Sequence, residues 1–382
     1  MTFDVLVIGG GLNGLASLNH LRRLGVRRLG LIERFRLGHD RGSSHGQARI
    51  TRSTYASPLY ARLMHLLHEE EWPRLEREAG ERLVHPCPGC FFGPPGEALE
   101  KYKRAVLQAQ ARVEWLTPAE GRRRFPQFRF EDAEGILLDH TAGVVAADDA
   151  IAALIRLARG GGAQIMEETE VLSIDASRQP LEVATERGVF RAERLIVTAG
   201  AWVGRLLPFL RPRLKAARQT VGYFEPAGAR ADYGIGRFPV WLYIADGENG
   251  HYYGMPEFGR PGIKAARHLA QGIDDNPDAA PAHPDPARIE ELWGFLRAQL
   301  AAVPRRLLAW EHCLYTNTET EDFILDLHPG NPLVAVGAGF SGHGFKFGPF
   351  TGRVLAELVL HGKTSIPEFE EARGEFSIHR PR

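Results

Sequence analysis

The chain is expected to form an α/β (α+β) fold in which a parallel, doubly wound domain is interrupted by a mainly antiparallel β-sheet domain. Three observations predict it. A short apolar run ending in glycines and followed by a helical repeat opens the chain, a second strand, glycine turn and helix closes it, and between about 213 and 325 the texture shifts to short β-type segments with aromatic residues and turns.

Asp4 to Ile8 is a continuous apolar strand, Leu15 to Leu24 carries apolar residues at helical spacing, and Leu29 to Ile32, closed by Glu33, is a second strand. Together they make one βαβ unit. Gly38 to Gly46, rich in Gly, Ser and His, suits a ligand loop better than a regular element. Residues 59 to 79 read as a helix, Val84 to Phe92 as an edge hairpin broken by Pro86 and Pro88, and 97–111 as a helix. Asp148 or Asp149 is expected to cap a helix from Ala150 to Arg159, with strands at Gln164–Glu167, Val171–Ile174 and Leu195–Thr198. In the inserted part, Val221–Phe224, Trp241–Ile244, His251–Gly254 and Phe323–Leu325 are expected strands, and Asp274 to Pro286 a surface loop. Val334–Val336, the glycine turn Gly337–Gly344 and a helix from Gly352 to Leu360 restore βα character. The expected partition is 1–84, 142–212 and 320–382 for the parallel domain, and 85–141 and 213–319 for the sheet domain.

With 382 residues the chain suits two packed domains, and 47 basic against 47 acidic residues leave no net field to draw nucleic acid or an anionic membrane. No window approaches the about 18 consecutive apolar residues of a membrane span, and the start lacks a basic leader, so a cytoplasmic enzyme of small molecules is expected. Cys87 and Cys90, separated by Pro-Gly, have no second pair to complete a zinc site and no helical context for a redox pair. No metal is expected.

Gly9-Gly10-Gly11-Leu12-Asn13-Gly14 fits G-x-G-x-x-G between strand and helix, where absent Cβ atoms let the turn close and a pyrophosphate rest on free N–H groups. Glu33, 19 residues after Gly14, can accept the ribose hydroxyl protons. NAD and FAD share this fingerprint. The late run Gly337-Ala338-Gly339-Phe340-Ser341-Gly342-His343-Gly344-Phe345-Lys346 favours FAD, because a long cofactor needs backbone N–H groups and a cation brought back from a distant part of the chain. The parallel domain is thus expected to be a Rossmann-type FAD-binding domain.

Phe3–Gly14, Ser43–Arg52, Thr198–Trp202, Tyr252–Pro256, Cys313–Thr316, Asp326–Pro329 and Gly339–Phe347 together resemble the monomeric sarcosine oxidase and N-methyltryptophan oxidase family, nearly end to end and in the same order. The resemblance implies a covalent FAD held by a thioether at Cys313, a substrate carboxylate held by Arg52 and Lys346, and an oxygen-activating Lys264. It implies that Arg49 stacks near the flavin and that His268, Tyr253 and Tyr315 line the pocket. It also assigns to the cofactor Gly9, Gly11, Leu12, Asn13, Gly14, Glu33, Arg34, Ser43, Ser44, Arg49, Val171, Ala199, Gly200, Trp202, Gly339, Phe340, Gly342, His343, Gly344 and Lys346. Ala48 departs from the pattern, standing where the family carries a hydroxyl.

The implied activity is FAD-dependent oxidation of a small secondary amino acid by O2 to an imine, with H2O2 released and the imine hydrolysed to an aldehyde and an amine, in a monomer. N-Methyltryptophan, L-proline and L-pipecolate are alternative substrates within the family. An NAD-dependent dehydrogenase or a non-catalytic flavin-binding protein are the alternatives from other classes.

Overall fold

Leu6, Val7 and Ile8 expose almost nothing because their strand is covered on both faces, the arrangement that a continuous apolar run demands. A computed structural model describes residues 2–247, 251–268, 276–279 and 283–380. In it β1 (Thr2–Ile8) leads through helix α1 (Leu12–Arg23) to β2 (Leu29–Ile32), paired parallel to β1. The strand Gln164–Met166 flanks β2, and the last residues of Gly188–Val197 pair parallel with both β1 and Asn331–Ala338. Helix α2 (Gly348–His361) crosses α1 where neither carries bulk: a Cβ on Gly352 would lie 2.4 Å from the Ala16 carbonyl carbon. Helices from near the two ends of the chain are therefore neighbours.

A small sheet joins β3 (Ala48–Thr51) to Gly143–Ala146 and Val84–Pro86. The large second sheet runs, edge to edge, β7 (Leu307–Asn317), β4 (Lys215–Phe224), β6 (Ile263–His268), β5 (His251–Met255), Val240–Tyr243, Gly89–Gly93, Gly135–Asp139 and Val113–Leu116. All its pairs are antiparallel except Val240–Tyr243 with Gly89–Gly93. Helices Glu97–Gln108 and Pro286–Gln299 supply Leu99 and Val106, and Leu292 and Leu296, to two different apolar clusters of this sheet.

Several expectations are corrected. Val84 to Phe92 is not an edge hairpin: Val84–Pro86 joins the small sheet, while Gly89–Gly93 is a fully buried interior strand. The two prolines break no ladder, since Pro86 ends one strand and Pro88 precedes the next. Phe323–Leu325 does not enter the second sheet; Ile324–His328 pairs with Asn331–Ala338 in the first. Neither Asp148 nor Asp149 caps its helix, which begins at Ala147 and holds both in its first turn, where their charge suits the helix dipole. The 59–79 helix contains a π-turn at Leu67–Glu71 between Pro58–Leu66 and Trp72–Ala79. The expected Asp274–Pro286 loop lies partly outside the described residues.

Candidate functional site

The glycine turn after β1 is held open by sterics. Gly9 takes φ 103°, and a Cβ on Gly14 would lie 1.9 Å from the Gly9 carbonyl oxygen. Gly14→Ala should gain up to about 1 kcal/mol in helix propensity but lose about 1–3 kcal/mol to overpacking, so the clash wins. The expected outcome is a lower melting temperature and reduced flavin content in the purified protein, measured by thermal unfolding and absorbance.

Helix α1 begins after Gly11 without a side-chain cap, Ser44 Oγ accepts from the Leu12 N–H at 3.1 Å, and the buried Asn13 Oδ1 finds no partner among the described residues. Glu33, 5 % exposed, accepts the Gly10 N–H at 2.6 Å and the Phe35 N–H at 2.8 Å, one on each oxygen. Oε2 keeps a lone pair for a ribose hydroxyl, while His39 Nε2 lies 3.4 Å from Oε1. Val171, Ala199, Gly200 and Trp202 continue this wall. Arg34 pairs with Glu170 at 3.3 Å and with Asp278 at 2.8 Å, and Asp278 also accepts from Trp202 Nε1. A glycine cradle at a helix start and an orphaned amide oxygen fit a dinucleotide cofactor.

One cavity of ≈ 870 Å³ runs from this turn to the face of the second sheet. Residues opposite one another in an antiparallel pair share a face, so the register explains what lines it. His251 stands opposite His268, Tyr253 opposite Ala266 and Met255 opposite Lys264. Tyr223 on β4 stands opposite Lys264, and Val221 stands between Ala266 and Glu311. Cys313 and Tyr315 follow Glu311 at the strand period on β7. Seven of these, from His251 to Tyr315, line the cavity with Val221 and Met255.

Lys264 is 4 % exposed and donates to the Ala48 carbonyl at 3.1 Å; burial first, then Arg49, pushes its pKa down to about 7. Arg49 donates to the same carbonyl at 3.0 Å and to Ser43 O at 3.0 Å, with its guanidinium 5.4 Å from the Phe345 ring centroid. Thus position 48 contributes its backbone to both cations. Ser43 Oγ in turn donates to Leu314 O, tying the glycine-rich loop to β7. Tyr315 shares a hydrogen bond with Tyr253 and lies 3.4 Å from His268 Nδ1.

In the same cavity Arg52 lies 4.2 Å from the Tyr55 ring centroid, and its Nη1 is buried with no partner among the described residues. Lys346 is 6 % exposed and donates to His343 O at 3.0 Å. Burial, then Arg52 and Arg49, holds its pKa well below the usual lysine value. Two desolvated cations beside one tyrosine form a site for an anion.

Two assigned glycines do not line the cavity: Gly14 and Gly339 lie behind its wall, the latter with Thr318 Cγ2 2.3 Å from where a Cβ would stand. Gly342 and Gly344 do line it, and at Gly342 a Cβ would meet the Tyr315 ring at 2.1 Å. Phe340 packs on Phe323, as does His343, whose ring also meets Tyr60 and Tyr55. Burial and then Lys346 push His343 down to about 3, so it is neutral. Sequence reasoning missed Glu311, His251, Glu321, His45 and Tyr55. The signal for Glu311 was present, since it precedes Cys313 by two residues on one strand face.

The family model for FAD dependent oxidoreductases matches residues 4–358. The chain is 34% identical over 384 residues to a monomeric sarcosine oxidase of Bacillus sp. (strain B-0618), covering 99% of this chain and 96% of that one. It is 35% identical to a peroxisomal sarcosine oxidase of Mus musculus, covering 94% and 92%. The open form of NikD, an unusual amino acid oxidase essential for nikkomycin biosynthesis, shares the fold with a TM-score of 0.83 at 24% identity, covering 98% and 97%. Among the described residues no helix is long and apolar enough to cross a membrane. A glycine cradle and a cavity leading from it to paired cations are thus joined to full-length likeness, and the chain belongs to the FAD dependent oxidoreductase family.

Proposed function

We propose that this chain is a sarcosine oxidase-like amine oxidase that oxidises a small N-methyl or other secondary amino acid to its imine, with O2 as acceptor and H2O2 as product. The observation that carries this reading is the unpartnered Nη1 of Arg52 beside the buried Lys346, within the same cavity as the glycine turn. Sarcosine is the first substrate to test, because the names of the relatives favour it.

Arg52 offers a bidentate fork and Lys346 a point charge to the substrate carboxylate. The same cations disfavour a further positive charge, so the bound amine sheds its proton and presents a lone pair. His268, Tyr253 and Tyr315 place hydrogen-bonding groups around that nitrogen. A bound flavin would supply the two-electron acceptor for hydrogen lost from a carbon bonded to the amine nitrogen, with oxygen as the final acceptor. Lys264, with Arg49 behind it, supplies positive charge where negative charge develops on oxygen. We assign Cys313 to a thioether with the flavin, on its place in the cavity between Glu311 and Tyr315. We also assign 1–84, 142–212 and 320–382 to FAD binding and 85–141 and 213–319 to the substrate domain, in a cytoplasmic monomer.

Incubating the purified enzyme with sarcosine, N-methyltryptophan, L-proline and L-pipecolate should release peroxide, fastest with sarcosine. No peroxide from any secondary amine sinks the reading. Acid precipitation should leave the yellow colour in the pellet, and Cys313→Ala should move it to the supernatant. Colour in the supernatant of both proteins would show that the flavin is not covalently held.

A further inference from the structure

Among the charges facing the cavity, Glu311 has no part in the function just proposed. It projects from β7 on the face that carries Lys264 and Cys313, and it lines the same cavity. Its carboxylate is fixed on both oxygens: Oε1 lies 2.7 Å from Arg260 Nη1, and Oε2 accepts from Tyr223 OH at 2.9 Å. Tyr223 stands directly opposite Lys264 in the β4–β6 ladder, with the Lys264 ammonium 5.8 Å from its ring centroid. The carboxylate also approaches Arg49, since a Cβ placed on Gly46 would lie 3.3 Å from both Arg49 Nη1 and Glu311 Oε2. A negative charge clamped in this position costs desolvation.

We propose that Glu311, anchored by Arg260 and Tyr223, is the counter-charge that keeps the Lys264 ammonium protonated beside the cofactor, and so sets the pH range over which the reduced enzyme reacts with oxygen. The inference rests on the oxygen role assigned to Lys264. Glu311 acts through that lysine and is a positioning residue.

The groups around the pair give the sign. Burial and Arg49 push Lys264 toward neutrality, with Arg260 adding to them; Glu311 opposes them more strongly than Cys313 does. Cys313 can oppose them only as a thiolate, a charge that thioether formation removes. His45, pushed down to about 4 by burial and then Arg49, is neutral at working pH. Asp148 has its carboxyl raised by burial against the pull of Arg49, and the Tyr223 phenol is held protonated by burial and by Glu311 itself. With the flavin attached, Glu311 is the carboxylate left holding the lysine's proton.

The test is the rate at which oxygen reoxidises the anaerobically reduced holoenzyme, followed by flavin absorbance across pH, together with the flavin midpoint potential. Glu311→Gln keeps the shape and removes the charge; its amide oxygen can still accept from Arg260, while its amide N–H donates to the Tyr223 oxygen in place of accepting from it. It should move the inflection of the pH profile down by about one unit, lowering the rate about tenfold near pH 8.5 and about twofold near pH 6, with little change near pH 5. Arg260→Gln leaves Glu311 less neutralised and should move the inflection up. The midpoint potential should rise in Glu311→Gln and fall in Arg260→Gln, because removing a nearby negative charge favours the reduced, more negative flavin. If Glu311→Gln does not fold, Arg260→Gln carries the test alone. An inflection unmoved in the variants that fold, or a loss uniform across pH, overturns the proposal. Lys264→Met separates the two readings: if it reoxidises like the parent, the oxygen role of Lys264 is wrong, whereas if it is slow and pH-independent while Glu311→Gln leaves the inflection in place, only the role of Glu311 falls.

Discussion

Replacing Lys264 by Met should slow oxygen's reaction with the reduced enzyme by about 100- to 1000-fold, the usual cost of losing a preorganised charge at a developing anion. Reduction of the flavin by substrate in the absence of oxygen should change by less than about threefold, because the substrate carboxylate is assigned to other cations. The fold should tolerate the exchange. Lys264 is buried, with Tyr223 and Met255 opposite it on its own face of the sheet, and Met has nearly its length and no charge to desolvate. The Ala48 carbonyl loses one donor but keeps Arg49. The sign of the pH effect follows from the depressed lysine: with its pKa pushed down to about 7, the ammonium is present below that value and lost above it. Reoxidation of the parent should therefore decline as pH rises through this region, whereas the Met variant should be slow and flat. Stopped-flow mixing of the reduced enzyme with oxygen measures both. Equal slowing of the two half-reactions would dismiss the assigned role.

The nucleotide-binding half was legible because its physics is local. Four residues from Val5 to Ile8 with no polar side chain, a turn that Gly9 and Gly14 alone can close, and Glu33 at the end of the next strand specify a βαβ unit without reference to the rest of the chain. The second sheet was harder to read for two physical reasons. Gly89–Gly93 is buried on both faces, Phe91 in one apolar cluster and Phe92 in another, so it shows none of the alternation that marks a half-exposed strand. The long β7 was missed for the opposite reason. Its cavity-facing positions carry Glu311, Cys313 and Tyr315, side chains chosen for the site, and they break the apolar period by which a strand is recognised. Phe323 and Ile324 misled by composition: their aromatic and apolar texture belongs to a strand that returns to the first sheet, a long-range pairing that no local pattern encodes.

The site shows the same division. Lys264, Arg52 and Lys346 were singled out through family likeness, because nothing in the identity of a lysine or arginine says whether it will be buried. Tyr55 escaped attention as one aromatic residue among many. Its importance appears only in space, where Arg52 and Lys346 both lie within cation–π distance of its ring.

Arg52→Met should produce an enzyme that is no less stable than the parent and much worse at its reaction. The Nη1 left without a partner among the described residues means that folding desolvates this atom without satisfying it, a cost that the rings of Tyr55, Phe91 and Tyr102 only partly offset. Removing the charge relieves that cost and also eases the burden on Lys346, whose ammonium Arg52 opposes. The melting temperature should stay level or rise. With substrate present the balance reverses, since the carboxylate loses its fork and keeps only Lys346. Breaking such a buried pair is worth about 3–5 kcal/mol, which corresponds to a fall in kcat/KM of at least about 100-fold. Acetate, a carboxylate with nothing to oxidise, should perturb the flavin spectrum of the parent at far lower concentration than that of the variant. Dimethylamine, which lacks the carboxylate, supplies the control: it should react slowly, and equally slowly, with both proteins. If the variant loses dimethylamine oxidation in the same proportion as sarcosine oxidation, Arg52 holds the cofactor or the fold and not the substrate's carboxylate.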